Sequence, residues 1–500
     1  MNPRVRAVHD LDVAGAREAV GLHEYDGVVQ DLSPEAVARG LSRLGAGPVE
    51  PDAHDEAHLA AFEEGLRTAY GSVAMHRWNP LVHIGNLDLA GYDREYAPAD
   101  QRADALRRHL AAWPDGVDGA IAALDRVPAP VADALLPAAR GLAAGLDPGG
   151  QAEHARALAA HRRFVEHLET AAADGPADAA LGAEALAALM GDGEAMSVDL
   201  SRLAARADAE STRLQGLLHE ACGRIDRERP APQVVAELVA DHPPPEGIAD
   251  EARHLIDEAT EFTVSRRLLG PVDGECRVGP APESRRWAMA MMSWAAPYED
   301  DAASWYHVTP PDPSWPAEEQ EEWMAVFSHT TLPAITVHEV TPGHFAHGRA
   351  LRRVRGDVRR GLFSGAFVEG WAHYAEELLL EEGFRDGDAR YCIGVCIEAL
   401  VRVTRLRCAI GLHTGSMKMD DAVRSFEQDA FLKGPAARSE AGRATYDPTY
   451  GRYTWGKLEI LDLRDEAMAT WGGRYSHLRF HEALLALGAP PLGLIGSALR

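Results

Sequence analysis

The chain has 500 residues, of which 46% are hydrophobic, so it can bury a large core and is not intrinsically disordered. Its formal net charge of −27 argues against nucleic-acid binding, because phosphate recognition depends on clustered Lys and Arg. Five cysteines are too few for a disulfide framework, and no stretch approaches the ~18 uninterrupted apolar residues of a membrane span.

Residues 1–270 are predicted to be helical throughout. Ala, Leu, Glu and Arg dominate at helical spacing, for example over 135–146, 154–172 and 180–189, and Pro- and Gly-containing breaks separate such stretches. This half of the chain carries little chemistry. We therefore predict an N-terminal helical region, 1–270, that walls a cleft in a second region, 271–500, which carries the chemistry described below, with a single continuous body as the alternative.

A short β element is predicted ahead of the second helical region. Residues 271–282 are loop-like, and 305–309 combine aromatic and β-branched side chains. A strand there would offer either an edge on which an extended peptide could pair or a plain structural hairpin. Helical patterns return over the remainder of the chain: 321–330, 366–382, 391–412, 420–432, 455–470 and 480–487.

The chemistry concentrates at residues 338–344, whose sequence is HEVTPGH. Two imidazoles with an adjacent carboxylate are typical ligands and general base of a zinc hydrolase. Their spacing is unusual, because six residues place the second histidine roughly 120° from the first on an ideal helix. Pro342 also removes a backbone donor and clashes with the preceding turn. The motif therefore predicts a helix that is interrupted at Pro342 and Gly343, which brings His344 round to the metal.

A second cluster of chemical groups follows the motif. On a helix, Glu369, His373 and Glu376 share one face through i, i+4 and i, i+7 spacing. One carboxylate can then bind the metal while the other groups orient the metal-binding histidines, which usually need such a partner. Glu339 would be the general base, taking a proton from a zinc-bound water whose pKa the metal lowers toward ~7. The alternative is a capped buried helix with surface histidines.

Several separated segments, in the expected order, resemble the bacterial DUF885 family, which belongs to the zincin-like (gluzincin) metallopeptidases. They are HEVTPGH at 338–344, VEGWAHYAE at 368–376, Arg405, GLH at 411–413, Tyr453 with GKL at 456–458, Arg464, and the ending at 480–490. The resemblance covers about 300–490 well and 1–270 only in its general helical character. It implies a mainly α, large helical zincin-like fold with a small β element ahead of the metal-binding helix. It also implies Zn2+ bound by His338, His344 and Glu369, with Glu339 as the catalytic base.

Two departures from the family pattern concern the pocket. The family usually has a second histidine directly after Pro-Gly-His, where this chain has Phe345; this favours His344 as the ligand, with His347 as the alternative. An acidic residue is often found where this chain has Ala409. The substrate pocket is therefore expected to differ from that of typical members.

Transition-state stabilisation requires a hydrogen-bond donor aimed at the developing oxyanion. Tyr453 is the first candidate, with Tyr450 and Tyr446 as rivals and His413 as another donor. Further candidates would orient the metal ligands or bind substrate: His373, Glu376, His307, Arg405, Lys457 and Arg464. The three cations among them would bind a substrate carboxylate or pair with neighbouring acidic residues.

The sequence therefore predicts a zinc-dependent hydrolase of peptide or amide bonds in small peptides or modified amino acids. The alternatives are a biosynthetic tailoring metalloenzyme that acts on a specialised amide or ester, and a non-catalytic metal-binding protein. We expect a cytoplasmic protein, since residues 1–12 contain no apolar signal core, with Zn2+ as cofactor and neither a membrane nor a nucleic-acid partner. A homo-oligomer is left open.

Overall fold

The computed structural model describes residues 1–147, 152–282, 285–286, 289–299 and 302–499. Helices make up 67% of the structure and strands 3%, which confirms the predicted mainly α class. No helix in these ranges is long and apolar enough to cross a membrane.

Twelve α-helices precede residue 270 in the part of the chain that the structure describes. They are α1 (Pro3–His9), α2 (Val13–Gly15), α3 (Pro34–Leu41), α4 (Ala53–Leu66), α5 (Pro80–Leu87), α6 (Ala99–Ala123), α7 (Ala129–Gly141), α8 (Ala152–Asp174), α9 (Ala183–Gly191), α10 (Leu200–Ile225), α11 (Ala231–Val239) and α12 (Ile248–Ser265). Several begin at a polar side chain that accepts a hydrogen bond from the first turn, as Asp52 does for α4 and Asp199 for α10. Helices α8 and α9 correspond to the predicted helices over 154–172 and 180–189.

Three short strands follow α12: β1 (Cys276–Gly279), β2 (Ala290–Ser293) and β3 (Ser304–Val308). The predicted strand, β3, lies in the centre of the sheet, since it pairs with β1 in parallel and with β2 antiparallel. Both hydrogen-bonding edges of β3 are therefore occupied. The hypothesis that this strand offers a free edge to a peptide is wrong, and the antiparallel pairing with β2 matches the structural alternative.

Ten further α-helices complete the described chain. They are α13 (Ala317–Met324), α14 (Leu332–Glu339), α15 (His344–Leu351), α16 (Asp357–Gly361), α17 (Gly365–Glu381), α18 (Ala389–His413), α19 (Met419–Asp429), α20 (Gly434–Tyr446), α21 (Arg452–Trp471) and α22 (His477–Leu485). The helix predicted over 321–330 is shorter than expected, because α13 gives way to a 3-10 turn at Ala325–Phe327. Helix α20 was not predicted.

The largest apolar core combines side chains from both sides of residue 270. Leu214 and Leu218 of α10 belong to the same core as Trp371 of α17 and Leu400 of α18. Helix α10 packs along α18, and α17 packs along α21. The helices that carry the predicted metal ligands are therefore held in place by a core to which the N-terminal residues contribute directly.

Candidate metal centre

The helix interruption predicted from the sequence is present, because α14 and α15 are separate helices and the second begins at His344. Only glycine fits at the break: a Cβ on Gly343 would lie 1.8 Å from the carbonyl oxygen of His338. Trp371 fixes the connecting turn, since its indole N–H donates to the Pro342 carbonyl oxygen at 2.8 Å. The turn brings the two motif imidazoles to a centroid separation of 4.7 Å.

Glu369, about one turn into α17, approaches both imidazoles. Its Oε2 lies 3.5 Å from Nε2 of His338 and 3.3 Å from Nε2 of His344, and the three donor atoms fall within 4.8 Å of one another. A tetrahedral zinc ion with bonds of about 2.0–2.1 Å separates its ligand atoms by about 3.3–3.4 Å, close to both distances. Among the described residues, no other three His, Cys, Asp or Glu side chains converge in this way.

The electrostatics of this cluster suit a cation. Burial raises the pKa of Glu369, but the imidazoles of His338 and His344 hold it well below its usual range. Burial and Arg402 lower the pKa of His338, yet the carboxylates of Glu369 and Glu376 outweigh them and raise it to about 9. The space between the three side chains therefore attracts positive charge. Two imidazoles and one carboxylate are also the donor set of zinc hydrolases, which keep a fourth position open.

A second carboxylate orients His338 from behind. Nδ1 of His338 donates to Oε1 of Glu376 at 2.6 Å, and Oε2 of this fully buried glutamate accepts from Arg402 at 3.1 Å. Such a partner fixes the ring so that Nε2 points toward Glu369 and His344. His373, the third residue of the predicted face, lies 3.5 Å from Glu376, and burial lowers its pKa to about 4, so it stays neutral.

Glu339, the last residue of α14, places an unsatisfied carboxylate beside the cluster. The residue is buried to 8% exposure, and its Oε2 has no hydrogen-bond partner among the described residues. Leaving a buried acceptor unpaired costs about 1–3 kcal/mol, so such an atom calls for an explanation. A general base that must remain free to accept a proton provides one.

Tyr453 reaches the cluster because α17 and α21 pack in direct backbone contact at two glycines, where any larger residue would clash. A Cβ on Gly370 of α17 would lie 2.6 Å from Cα of Gly456 of α21, so both positions need glycine. The contact brings Tyr453, in the first turn of α21, to 6.3 Å between its ring centroid and that of His338. Its hydroxyl has no hydrogen-bond partner among the described residues. It is thus available to a ligand.

None of the other candidate oxyanion donors contacts a proposed metal ligand in the described part of the chain. The Tyr450 hydroxyl is buried and donates to the carbonyl of Glu440, and Tyr446 packs against the core of the N-terminal helices. His413, at the end of α18, has one ring nitrogen on the Ala444 carbonyl and the other accepting from the backbone N–H of Leu181. Its assignment as an oxyanion donor is therefore wrong, since both nitrogens already bridge α18 to other segments.

The three predicted carboxylate-binding cations are all neutralised within the protein. Arg405 forms two hydrogen bonds with Glu440, at 2.8 and 2.7 Å. Lys457 is completely buried between Glu210 and Glu377, and Arg464 pairs with Glu381. Pairing with acidic residues, the alternative given above, is the arrangement found. Arg405 nevertheless lies at the site, where its guanidinium stacks on the Tyr453 ring at 5.2 Å.

His347 and His307 each use a ring nitrogen to bind a backbone carbonyl rather than to face the ligand cluster. His347 faces away from Glu369: Nε2 donates to the Gly488 carbonyl at 3.2 Å, and burial lowers its pKa to about 4. It therefore does not replace His344. His307 on β3 donates to the Pro280 carbonyl at 3.1 Å. Its role in substrate binding stays a prediction.

Arg402 and Glu398 are site residues that the sequence reading missed. They are the only ionisable side chains between Tyr391 and Arg405, apart from two cysteines, and lie four residues apart in an otherwise apolar run. Charges are rarely buried unless they are paired or functional. Two charged residues in an otherwise apolar run could therefore have identified Arg402 and Glu398 as site residues from the sequence.

Two clefts lie beside the ligand cluster rather than on it. One of ≈ 620 Å³ is lined by residues that include Ala346, Arg349 and Arg359, and another of ≈ 290 Å³ opens between Gly365 and Arg452. Neither is lined by a metal ligand. The cluster is accessible to solvent at Glu369, since 24% of the side chain of this residue is exposed.

Comparison with known proteins agrees with this fold. A family model described as "Bacterial protein of unknown function (DUF885)" matches residues 16–499. The structure is similar to that of "a putative lipoprotein of unknown function" from Shewanella oneidensis, with a TM-score of 0.77 and 19% identity over 98% of this chain and 96% of that one. It is also similar to "the putative lipoprotein" from Colwellia psychrerythraea, with a TM-score of 0.76 and 17% identity over 99% and 97% of the two chains. At these identities the likeness shows the fold alone. No curated protein matches the sequence.

Proposed function

This chain belongs to the DUF885 family of bacterial proteins, and we propose that it is a zinc-dependent hydrolase of peptide or amide bonds with a zincin-like fold. Its substrates would be small peptides or modified amino acids. The observation that carries the proposal is the convergence of His338, His344 and Glu369 beside Glu339, whose buried Oε2 is unpaired. Zinc, when bound, would supply the positive charge that polarises the scissile carbonyl and acidifies water.

The protein's own residues would divide the remaining work. Glu339 takes a proton from the attacking water and passes it to the leaving amine, so that one carboxylate serves both proton transfers. Tyr453 donates its hydroxyl to the oxygen that becomes negative as the carbonyl is attacked. Glu376 keeps the His338 ring in one orientation, which spares the site from reorganising during the reaction.

Two changes at neighbouring histidines test the metal assignment. Purified protein should contain about one zinc per chain, measured by plasma mass spectrometry. His344→Ala should lose the metal, whereas His347→Ala, which removes a buried histidine from the same helix, should keep it. Zinc-free wild-type protein with all ligands intact, even after incubation with zinc, would rule out the assignment.

The catalytic assignment needs a separate measurement. Glu339→Gln should retain zinc and lose ~10²–10⁴-fold in the rate of dipeptide hydrolysis, because the amide cannot accept the proton. Full activity in this variant would show that another group is the base. Zinc binding without hydrolysis of any peptide or amide would favour the non-catalytic metal-binding alternative.

The cytoplasmic location stays a proposal. The two structural relatives are titled as putative lipoproteins, which suggests a different location as the alternative. Fractionation of the producing bacterium followed by immunodetection of the full chain decides between a cytoplasmic and a membrane-associated protein. The net charge of −27 supports the absence of a nucleic-acid partner.

A further inference from the structure

Glu398 is the one residue over 391–404 of α18 whose side chain is partly exposed to solvent. Every other residue over 391–404 is buried, whereas 19% of the Glu398 side chain is exposed. Glu398, Arg402 and Arg405 follow one another at i, i+4 and i, i+7 and therefore share one helix face. Arg402 on that face lies 3.5 Å from Nδ1 of His338. Through Arg402, Glu398 is thus one side chain away from a proposed metal ligand.

The protein satisfies this carboxylate only weakly. Within the described ranges, its one ion pair is a 3.4 Å contact with Nη1 of Arg402, a nitrogen that already donates to Glu376 at 3.1 Å. No described residue donates a hydrogen bond to the Glu398 carboxylate. Burial raises the pKa of Glu398, and Arg402 offsets this only in part. Among the described residues, the Glu398 carboxylate therefore lacks a strong cationic partner, and its side chain is in part accessible to solvent.

A balance of charges around the cluster leads to the same conclusion. Glu376 is neutralised by Arg402, and Glu440 by Arg405 through two hydrogen bonds. The two carboxylates next to the metal position, one ligand and one base, match a divalent cation. Among the side chains just named, Glu398 alone then lacks a cation of its own. A substrate with a positive charge would supply it.

The arginine that contacts Glu398 also lies beside the proposed oxyanion donor. The guanidinium of Arg402 is 5.9 Å from the centroid of the Tyr453 ring, and its Nη1 is 3.4 Å from the Glu398 carboxylate. Glu398 is therefore one side chain away from Tyr453, which is proposed to face the substrate.

We infer that Glu398 binds a primary ammonium group of the substrate and selects amine-bearing peptides or amides over those with a blocked amine. The inference rests on the proposed hydrolase function and names its substrate class. An ammonium would form a charge-assisted hydrogen bond of about 2.7–2.9 Å with the free carboxylate oxygen.

A dipeptide library in three forms tests this inference. All twenty X-Ala dipeptides are supplied free, N-acetylated or C-amidated, and turnover of each member by zinc-loaded protein is followed by mass spectrometry. Free and amidated forms should be hydrolysed alike, and acetylated forms ~10–100-fold more slowly. The acetylated Lys-Ala member keeps a side-chain ammonium. If acetylated Lys-Ala is the one acetylated member that is hydrolysed at the rate of its free form, the protein recognises the side-chain ammonium rather than the α-amino group.

Glu398→Gln should raise KM for the free dipeptides ~10–100-fold with little change in kcat, and leave the slow acetylated substrates unaffected. Glu466→Gln, an exposed glutamate on the helix that carries Tyr453, is the matched control and should change neither constant. Equal effects of Glu398→Gln on free and acetylated substrates, or a preference for acetylated forms in the wild type, would overturn the inference.

Binding provides a readout that is independent of turnover. Zinc-loaded Glu339→Gln protein is dialysed to equilibrium against each library, and the retained members are quantified. Free dipeptides should be retained more than acetylated ones, and the added Glu398→Gln change should abolish the difference. If free dipeptides are retained in this way but the wild-type protein does not hydrolyse them, the result would contradict the proposed hydrolase activity and not the recognition of an ammonium group. Retention of acetylated forms, or of no form, would refute ammonium recognition even if hydrolysis is observed.

Discussion

Replacing Glu376 by Gln should weaken zinc binding by about 10–100-fold, the usual cost of removing a carboxylate behind a metal-binding histidine. The His338 ring is held by a 2.6 Å hydrogen bond to this carboxylate, and an amide of the same shape keeps the contact but loses the charge. The expected change corresponds to about 1.4–2.7 kcal/mol of zinc-binding free energy. The carboxylate is fully buried, so solvent screening does not reduce the effect.

Glu377→Gln is the matched control. Glu377 is the next residue of α17 and is also buried, but it pairs with Lys457 and Arg213 and does not touch a metal ligand. Removing one partner of a buried ion pair typically costs about 3–5 kcal/mol, so both variants should be less stable than the wild type. Only the Glu376 change should also alter zinc affinity.

Competition with a chromogenic zinc chelator measures the affinities, and denaturant unfolding of the zinc-free proteins measures the stabilities. The reasoning predicts a loss of stability in both variants and a loss of affinity in one. If the two variants bind zinc equally tightly, the hydrogen bond between Glu376 and His338 does not orient the ligand, and the description of the centre is wrong.

Three further predictions follow from the geometry. Tyr453→Phe should lower kcat ~10²–10³-fold with little change in KM, whereas Tyr450→Phe, whose hydroxyl is bound to a carbonyl away from the metal position, should not; equal losses in steady-state kinetics would contradict the assignment. Gly343→Ala should abolish zinc binding in metal analysis, because its Cβ would overlap the His338 carbonyl, while Gly216→Ala on α10 has free space and should bind normally. Burial raises the pKa of Glu194 from 4.5 to about 7, so the folded state keeps a proton that the unfolded chain releases. Stability in denaturant unfolding should therefore fall as pH rises from about 4.5 to 7, and a similar slope in Glu194→Gln would contradict this reading.

Local chemistry made the metal motif readable from the sequence. Pro342 and Gly343 exclude a continuous helix on steric grounds alone, and the interruption is found where these residues predict it. The i, i+7 spacing of Glu369 and Glu376 placed two carboxylates on one face of α17, and both contact His338. Both inferences concern residues that are close together in the sequence. The relative positions of such residues follow largely from local backbone geometry.

Long-range partners could not be read in the same way. The acid that neutralises Arg405 is 35 residues away, and one that neutralises Lys457 is 247 residues away, so their availability to substrate depended on packing. His413 stands in a family-like segment, yet its ring bridges α18 to a backbone 232 residues distant. Helix α20 was missed because Gly434 and Pro435 resemble a loop, although proline in a first turn is compatible with a helix.

The buried Lys457 ammonium has a consequence for how this protein could be divided. It is neutralised by Glu210 from one side of residue 270 and by Glu377 from the other. A fragment that begins after residue 270 would lose Glu210 and also Arg213, the second cation that holds Glu377. Because the two segments share these buried charges, we expect neither of them to fold as an independent module.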